Sequence, residues 1–564
     1  MSLRAQDPPD HRKARGAFFT PPTIADFLTR WAIRSGDATI MDPTCGEAVF
    51  LLAAADRLKR LKASPTAISE QLTGVDLHAP SLDEAARLLA ERDVARPNLV
   101  CSNLFDLSPP TQLGDRVGWQ DAVIGNPPFV RYQEHRGTMR KRSATAALAQ
   151  GVRLSGLASS WAATLIHASA FLKPDGRLAM VLPAELLTVG YAEPIRRWLR
   201  ARFGVVNLVM FERLQFQDAD ENVVLLVAHG TGPCDSFCLY QVDGAEDLAD
   251  VHPLDPVGAR PAAEGKWSDL VLPLDMRQLF KSVGLERMAR LDSYGTPELG
   301  TVTGNNDFFA LSEVTRRQYR IPEEHLKPIS PPGTRHLDGL SFSQARWKEL
   351  KLAGQRVWLL HPDPAARSKG LTAYLAHGEA SGVPEAYKCT VRDPWWRPPV
   401  VPVPDLFFTY MSHRYPRLIE NSAAATFVNS MHGLRLRDDA PRITRRALPL
   451  LALNSASMLG AEVMGRSYGG GILKMEPREA ASLPVPGPET MQTAWRRIEK
   501  QRPKLEATLK RGEWWTVVAE VDRVLLKETM RLTGDQVEAI RDAAALLRVR
   551  RTRQTESHGS VIKA

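Results

Sequence analysis

Between Asp121 and Gln133 the chain reads D-A-V-I-G-N-P-P-F-V-R-Y-Q. Ala122-Val123-Ile124 is an apolar run suited to a buried strand, and it breaks at once into Gly125-Asn126-Pro127-Pro128-Phe129. Adjacent prolines have no backbone N–H to donate, so the strand must end there. The Asn126 side-chain oxygen and the Pro127 carbonyl are then two acceptors at one strand mouth. Two acceptors can receive both hydrogens of an exocyclic amine and hold its lone pair toward an approaching methyl group. Phe129 offers a face for stacking a base, a contact worth roughly 1–3 kcal/mol. A Pro-Pro turn beside a core phenylalanine is the plain alternative. Three companions at earlier strand ends weigh against it.

The first companion is Met41-Asp42-Pro43-Thr44-Cys45-Gly46-Glu47-Ala48. Asp42 closes a strand, Gly46 allows close backbone approach to a ligand, and a helix opens near Glu47. The loop resembles a nucleotide loop but lacks the Lys-Ser/Thr of a P-loop and the full G-x-G-x-x-G. The second is Gly74-Val75-Asp76-Leu77, where an acid ending a strand suits a grip on two ribose hydroxyls; a helix N-cap is the alternative. The third is Asn103-Leu104-Phe105-Asp106. Asp106 can accept a hydrogen bond from an adenine amino group, or it is a surface-turn aspartate.

These turns need strands behind them. Apolar runs at Thr39–Met41, Leu72–Val75, Asn98–Cys101, Ala122–Ile124, Arg177–Leu182, Val205–Met210 and Val223–His229 alternate with helical patterns at Pro22–Ile33, Glu47–Leu61, Ser81–Arg92, Ser160–Leu172 and Ala192–Phe203. Such alternation predicts an α/β domain: a mostly parallel, Rossmann-like sheet with helices on both faces, binding ligands at the carboxyl ends of its strands. Past about residue 235 prolines crowd and aromatics cluster, as in Pro394-Trp395-Trp396-Arg397-Pro398-Pro399.

Composition agrees with two functions in one chain. The 564 residues carry a net charge of +9, which favours an anionic partner, nucleic acid before membrane. Residues 311–450 hold 21 basic against 13 acidic residues, a net of +8. This points to a binding domain separate from the catalytic one. The segment from Arg131 to Arg153 is also basic and suits a clamp on a nucleic-acid backbone. Five scattered cysteines fit a reducing cytoplasm and argue against a zinc site; no metal is expected. No secretory leader and no run of 18 apolar residues is visible. Thr533-Gly534-Asp535-Gln536 reads as a capping box opening a last helix.

Gly16-Ala17-Phe18-Phe19-Thr20-Pro21-Pro22, the D-P-x-x-G-x-A loop, the G-V-D strand end, N-L-F-D-L and N-P-P-F follow one another in that order. In this order they resemble the S-adenosylmethionine-dependent amino-methyltransferases of DNA, specifically the gamma-class N6-adenine methyltransferases of restriction-modification systems. The resemblance spans nearly the whole chain. It implies a Rossmann-like catalytic domain at 1–235, a mixed α+β target recognition domain at 236–490, a helical segment at 491–552 and a disordered tail at 553–564.

The resemblance also implies roles. S-adenosylmethionine would be held by Thr20, Asp42, Thr44, Gly46, Asp76 and Asp106: Thr20 at the methionine end, the Asp42–Glu47 loop around the amino-acid portion, Asp76 on the ribose and Asp106 on the adenine amino group. Asn126, Pro127 and Phe129 would be catalytic, with Pro128 beside them. Phe216 would stack on the other face of a target adenine swung out of duplex DNA. One departure is Thr164, where the family often has an aromatic; Trp161 lies one turn earlier. Arg414, Arg417, Arg435 and Arg437 are expected phosphate contacts. With only fifteen residues before Gly16, the chain looks like a separate methylase working beside a separately encoded restriction endonuclease, in the cytoplasm. Other readings remain: an N4-cytosine, RNA or protein-glutamine methyltransferase, or a DNA-binding homologue without activity.

Overall fold

The computed structural model describes residues 20–559, apart from 111–115, 131–136, 157, 212–222, 235, 252–266, 268–269, 271, 367 and 469–470. The chain divides into two compact units, Met1–Val271 and Leu272–Ala564.

The first unit is built on an eight-stranded sheet. Its strands are β1 (Ile40–Asp42), β2 (Leu72–Asp76), β3 (Asn98–Cys101), β4 (Gln120–Gly125), β5 (Leu172–Pro183), β6 (Val205–Phe211), β7 (Val223–His229) and β8 (Ser236–Val242). They lie in the order β3-β2-β1-β4-β5-β7-β6-β8. β7 runs antiparallel to β5 and to β6, and the remaining pairings are parallel. The sheet is apolar through its middle: Ala122, Val123 and Ile124, Leu178 to Leu182 and Val224 to Ala228 are fully or almost fully buried. Continuous apolar strands of this kind belong to sheets covered on both faces.

The seven expected strands are all present, two of them with the expected bounds. The eighth, β8, begins one residue past the expected domain boundary at 235. It extends the sheet by pairing in parallel with β6, Val205 opposite Ser236 through Phe211 opposite Val242.

Three helices set the site. α1 (Pro22–Ala32) starts on a proline, whose missing N–H costs nothing in a first turn, and buries Ile24, Ala25, Phe27, Leu28 and Trp31. α2 (Val49–Arg60) buries Phe50, Leu51, Ala54, Ala55 and Leu58, the spacing of one helical face. α3 (Ser160–Ala168) is buried at every position, which removes any solvent face from that helix.

The second unit is mixed α+β, as expected. One sheet runs Gly295–Leu299, His432–Leu436, Leu406–Phe408, Leu418–Asn421, Ser341–Phe342, and another runs Ala310–Ser312, Arg356–Leu360, Leu326–Pro328. Its core is aromatic, with Phe308, Phe309, Phe342, Trp347, Trp358, Phe407 and Phe427 buried together. Trp395 of the proline-rich stretch packs on Phe308 with ring centres 5.6 Å apart.

The last helix, Gly534–Gly559, opens on the expected capping box: Gln536 N–H donates to Thr533 Oγ1 at 3.2 Å, and Thr533 N–H to Gln536 Oε1 at 3.0 Å. Arg551 near its end is not a free basic residue. It is buried against Glu462, 2.8 Å away, and also donates to the carbonyls of Gly471 and Arg414. Arg417 likewise faces inward. It donates to the Leu337 carbonyl and lies 5.2 Å from the Trp514 ring centre, and burial pushes its guanidinium down to about 10. It is a packing residue, not a phosphate contact. Arg414 and Arg437 are exposed, and Arg435 pairs with Glu298 at 3.3 Å. Among the described residues no single helix is long and apolar enough to cross a membrane.

Candidate active site

The site assembles at the carboxyl ends of β3, β2, β1 and β4, four neighbours in the sheet. After β1 the chain doubles over β2, because Cys45 N–H donates to the Val75 carbonyl at 2.9 Å. Gly74 makes that close pass possible. A Cβ there would sit 2.8 Å from Leu51 Cδ1 and 2.9 Å from Cys45 Sγ. Gly46 and Ala48 then take left-handed conformations, φ 49° and 67°. A Cβ on Gly46 would meet no atom within 4 Å, so the turn is open on that side. No side chain caps the helix that follows, leaving its first-turn N–H groups available to an anion.

The two acids of this region are tied to one another through that loop. Asp76 accepts from Gly46 N–H at 2.9 Å and from His78 N–H at 2.8 Å. It is half-buried, and a carboxylate retains further lone pairs beyond those two bonds. Asp42 is 1% exposed. Its Oδ1 accepts from Thr44 N–H at 3.1 Å, and its buried Oδ2 has no partner among the described residues. Burial, with the charge of Asp76 adding to it, pushes the Asp42 carboxyl up to about 8. Asp106 stands apart on the turn after β3. It is exposed, and paired with Arg142 at 2.6 Å.

The expected catalytic residues follow directly on β4. A Cβ at Gly125 would lie 2.9 Å from Asp42 Oδ1, so the glycine lets β4 end against the β1 turn. Asn126 is half-buried. Its side-chain amide N–H donates to Thr20 Oγ1 at 3.2 Å, and its backbone carbonyl accepts from Thr44 Oγ1 at 3.4 Å. Thr20, 3% exposed, therefore lies on the expected catalytic asparagine. Fixing the nitrogen leaves the amide oxygen pointing the other way, as an acceptor. Pro127 is buried and Pro128 half-buried.

Phe129 is 9% exposed, so the ring face expected to take a base is covered in this structure. Phe216 lies outside the described residues. Thr20, Asp42, Thr44, Gly46, Asp76, Asn126 and Gly125 thus form one hydrogen-bonded and packed group. Asp106 joins the same sheet edge through the strands, since Ser102 N–H donates to the Asp76 carbonyl at 3.0 Å. Among the described residues no group of three or more His, Cys, Asp or Glu is placed to hold a metal ion.

Two contacts carried no signal in the sequence. Ser160 at the start of α3 reaches the Asn-Pro-Pro-Phe loop at Pro128 and Val130, and Arg142 covers Asp106. Trp161, one turn before Thr164, is buried with its indole N–H on the Tyr191 hydroxyl at 3.1 Å.

This sheet order, with one antiparallel strand and acids at successive strand ends, defines the class: a methyltransferase-type α/β fold with an appended second unit. Across 95% of the chain it is similar to the Type IIL restriction-modification enzyme MmeI, with a TM-score of 0.56, 12% identity and 75% of that chain covered. Residues 6–227 match the N-6 DNA Methylase family, and residues 264–526 match the C-terminal domain of Type II methyltransferase M.Eco57I. The first unit is thus similar to the N-6 DNA methylases, and the second to the C-terminal domain of M.Eco57I. Relatives include Type II methyltransferase M.XamI of Xanthomonas campestris pv. amaranthicola, 24% identical over 86% of this chain and 88% of the relative. Another is Type II methyltransferase M.AccI of Acinetobacter calcoaceticus, 20% identical over 83% and 85%.

Proposed function

We propose that the chain is an S-adenosylmethionine-dependent DNA methyltransferase that modifies the N6 amine of an adenine swung out of duplex DNA, as the modification partner of a separately encoded restriction endonuclease. The observation that carries the reading is the Asn126 amide, pinned by Thr20 on its nitrogen and set against the loop that joins Asp42 to Asp76.

The residues fit the donor. The uncapped start of α2 suits its carboxylate, the buried oxygen of Asp42 its ammonium, Asp76 its ribose hydroxyls and Asp106 its adenine amino group, with Thr44 and Gly46 shaping the wall between them. When bound, S-adenosylmethionine supplies an electrophilic methyl group on a sulfonium.

The protein's part is to make a poor nucleophile competent. The adenine amine is conjugated with its ring. Acceptors at Asn126 Oδ1 and the Pro127 carbonyl favour the pyramidal form in which its lone pair is localised, and they stabilise the charge that grows on nitrogen as the bond forms. In the transfer the amine nitrogen would take the methyl group while the S–C electron pair stays on sulfur, and the released amine proton would pass to solvent. Extruding the base costs a few kcal/mol, and stacking on Phe129, Pro128 and Phe216 offsets part of that. Phe129 contributes once the groups over its ring move aside. The basic surface of the second unit, Arg414 and Arg437 included, holds the phosphate backbone.

Transfer of labelled methyl from S-adenosylmethionine to unmethylated duplex DNA, followed by nucleoside analysis, tests this. The expected product is N6-methyladenine, and Asn126→Ala lowers the rate about 100- to 1000-fold while cofactor affinity holds. Label in cytosine, or full activity in the Asn126→Ala protein, refutes the assignment.

A further inference from the structure

Pro127 and Pro128 leave the catalytic loop with an unusual problem. Neither has a backbone N–H, so the loop cannot tie itself down there, and their φ angles are locked while their ψ angles stay soft. The direction of the Pro127 carbonyl, the second acceptor, therefore depends on what holds the chain immediately after it. Among the described residues, Ser160, from another element, does so. Ser160 Oγ donates to the Pro128 carbonyl and accepts from Val130 N–H at 2.9 Å. Ser160 N–H donates to the Val130 carbonyl at 3.1 Å. Three hydrogen bonds thus bracket Phe129 from both sides.

The residue supplying them is itself fixed. Ser160 is 6% exposed and begins α3, whose residues are all buried. Its own carbonyl accepts from Thr164 Oγ1 at 3.3 Å, and the next residue, Trp161, is held by Tyr191. A hydroxyl that donates on one side and accepts on the other is what a loop with one stranded carbonyl and one stranded N–H requires.

We infer that Ser160 is a positioning residue for methyl transfer: its hydroxyl splints Pro128 to Val130 and so aims the Pro127 carbonyl and the Phe129 ring. This rests on the methyltransferase reading above. Ser160 touches neither donor nor base; it acts through the loop. Removing the hydroxyl leaves the N–H bond to Val130 and the helix start intact, so the loop stays attached but its ψ angles are freed.

The test uses the full-length chain as wild type, Ser160→Ala and Ser160→Cys, the last nearly isosteric but a weak hydrogen-bonding group. Three quantities are measured: the single-turnover rate of labelled methyl transfer to unmethylated phage DNA, the equilibrium affinity for S-adenosylmethionine alone, and the thermal unfolding midpoint. The expected result is a rate loss of about ten- to a hundredfold in both variants, with affinity and midpoint unchanged. Rates within twofold of wild type in either variant overturn the inference. So does a rate loss that comes with equal loss of cofactor affinity or a lowered midpoint, which is the mark of a merely structural serine. A wild-type chain that transfers no methyl at all fails the functional reading instead.

Discussion

Asp42 makes a quantitative prediction about pH. Its carboxyl is completely enclosed, and burial raises it from the usual 3.8 to about 8. Between those two values the folded chain keeps the proton and the unfolded chain has lost it, so unfolding releases a proton and rising pH favours the unfolded state. The stability contribution is whole below about pH 4, declines by about 1.4 kcal/mol per pH unit, and is gone above about pH 8. The total is on the order of 5 kcal/mol. Asp42→Asn is neutral throughout and has no such slope. Urea unfolding of both proteins, followed by the fluorescence of the first unit's tryptophans, isolates the effect as a difference. Wild type minus variant should fall by about 1.4 kcal/mol for each unit from about pH 5 to about pH 7, then level off above about pH 8. A cation seated beside Asp42 draws the carboxyl toward its ionised form, so saturating S-adenosylmethionine should flatten the slope and release about one proton on binding near pH 7. A difference that stays flat from pH 5 to pH 8 (about one assay point per unit) refutes the protonated carboxyl, and with it the account of the cofactor loop.

Other perturbations follow from single contacts. Thr20→Val removes the oxygen that holds the Asn126 amide and should lower the methyl-transfer rate about tenfold, with Thr20→Ser restoring most of it; single-turnover kinetics decide. Gly125→Ala places a Cβ 2.9 Å from Asp42 Oδ1 and 3.2 Å from Pro43 Cδ, and should cost about 1–3 kcal/mol of stability together with a measurable loss of cofactor affinity by calorimetry. Arg551→Ala leaves Glu462 buried without its cation and should cost about 3–5 kcal/mol in a denaturant melt. Arg551→Ala with Glu462→Leu should recover much of that.

Much of this protein is legible along the chain because its candidate site sits at strand ends. Apolar runs long enough to cross a covered sheet are readable one by one, which is why Asn98–Cys101 and Val223–His229 come out with their bounds. Asp42, Asp76 and the Asn-Pro-Pro-Phe turn sit directly at their ends, and Asp106 lies five residues past Cys101. β8 is less visible: Ser236–Val242 lies at the sheet's edge, where Leu239, Tyr240 and Val242 are only half-buried. The basic count of the second half was legible too, but charge alone does not reveal direction. Arg417 and Arg551 carry the same formal charge as Arg414, yet they end on carbonyls, a tryptophan face and a buried carboxylate.

The sequence by itself determined which strands end in an acid or in the Asn-Pro-Pro-Phe turn, and in what order, because periodicity and turn residues are local properties. Tertiary structure alone decided how those ends are aimed. Thr20 meets Asn126 across 106 positions, and Ser160 meets Val130 across 30; no local pattern encodes either distance. They meet because the sheet brings β1 and β4 side by side and because a fully buried helix has only one way to pack. Aiming an acceptor is a matter of which hydrogen-bond partner is within about 3 Å, and that is set by the packing of elements far apart in the chain.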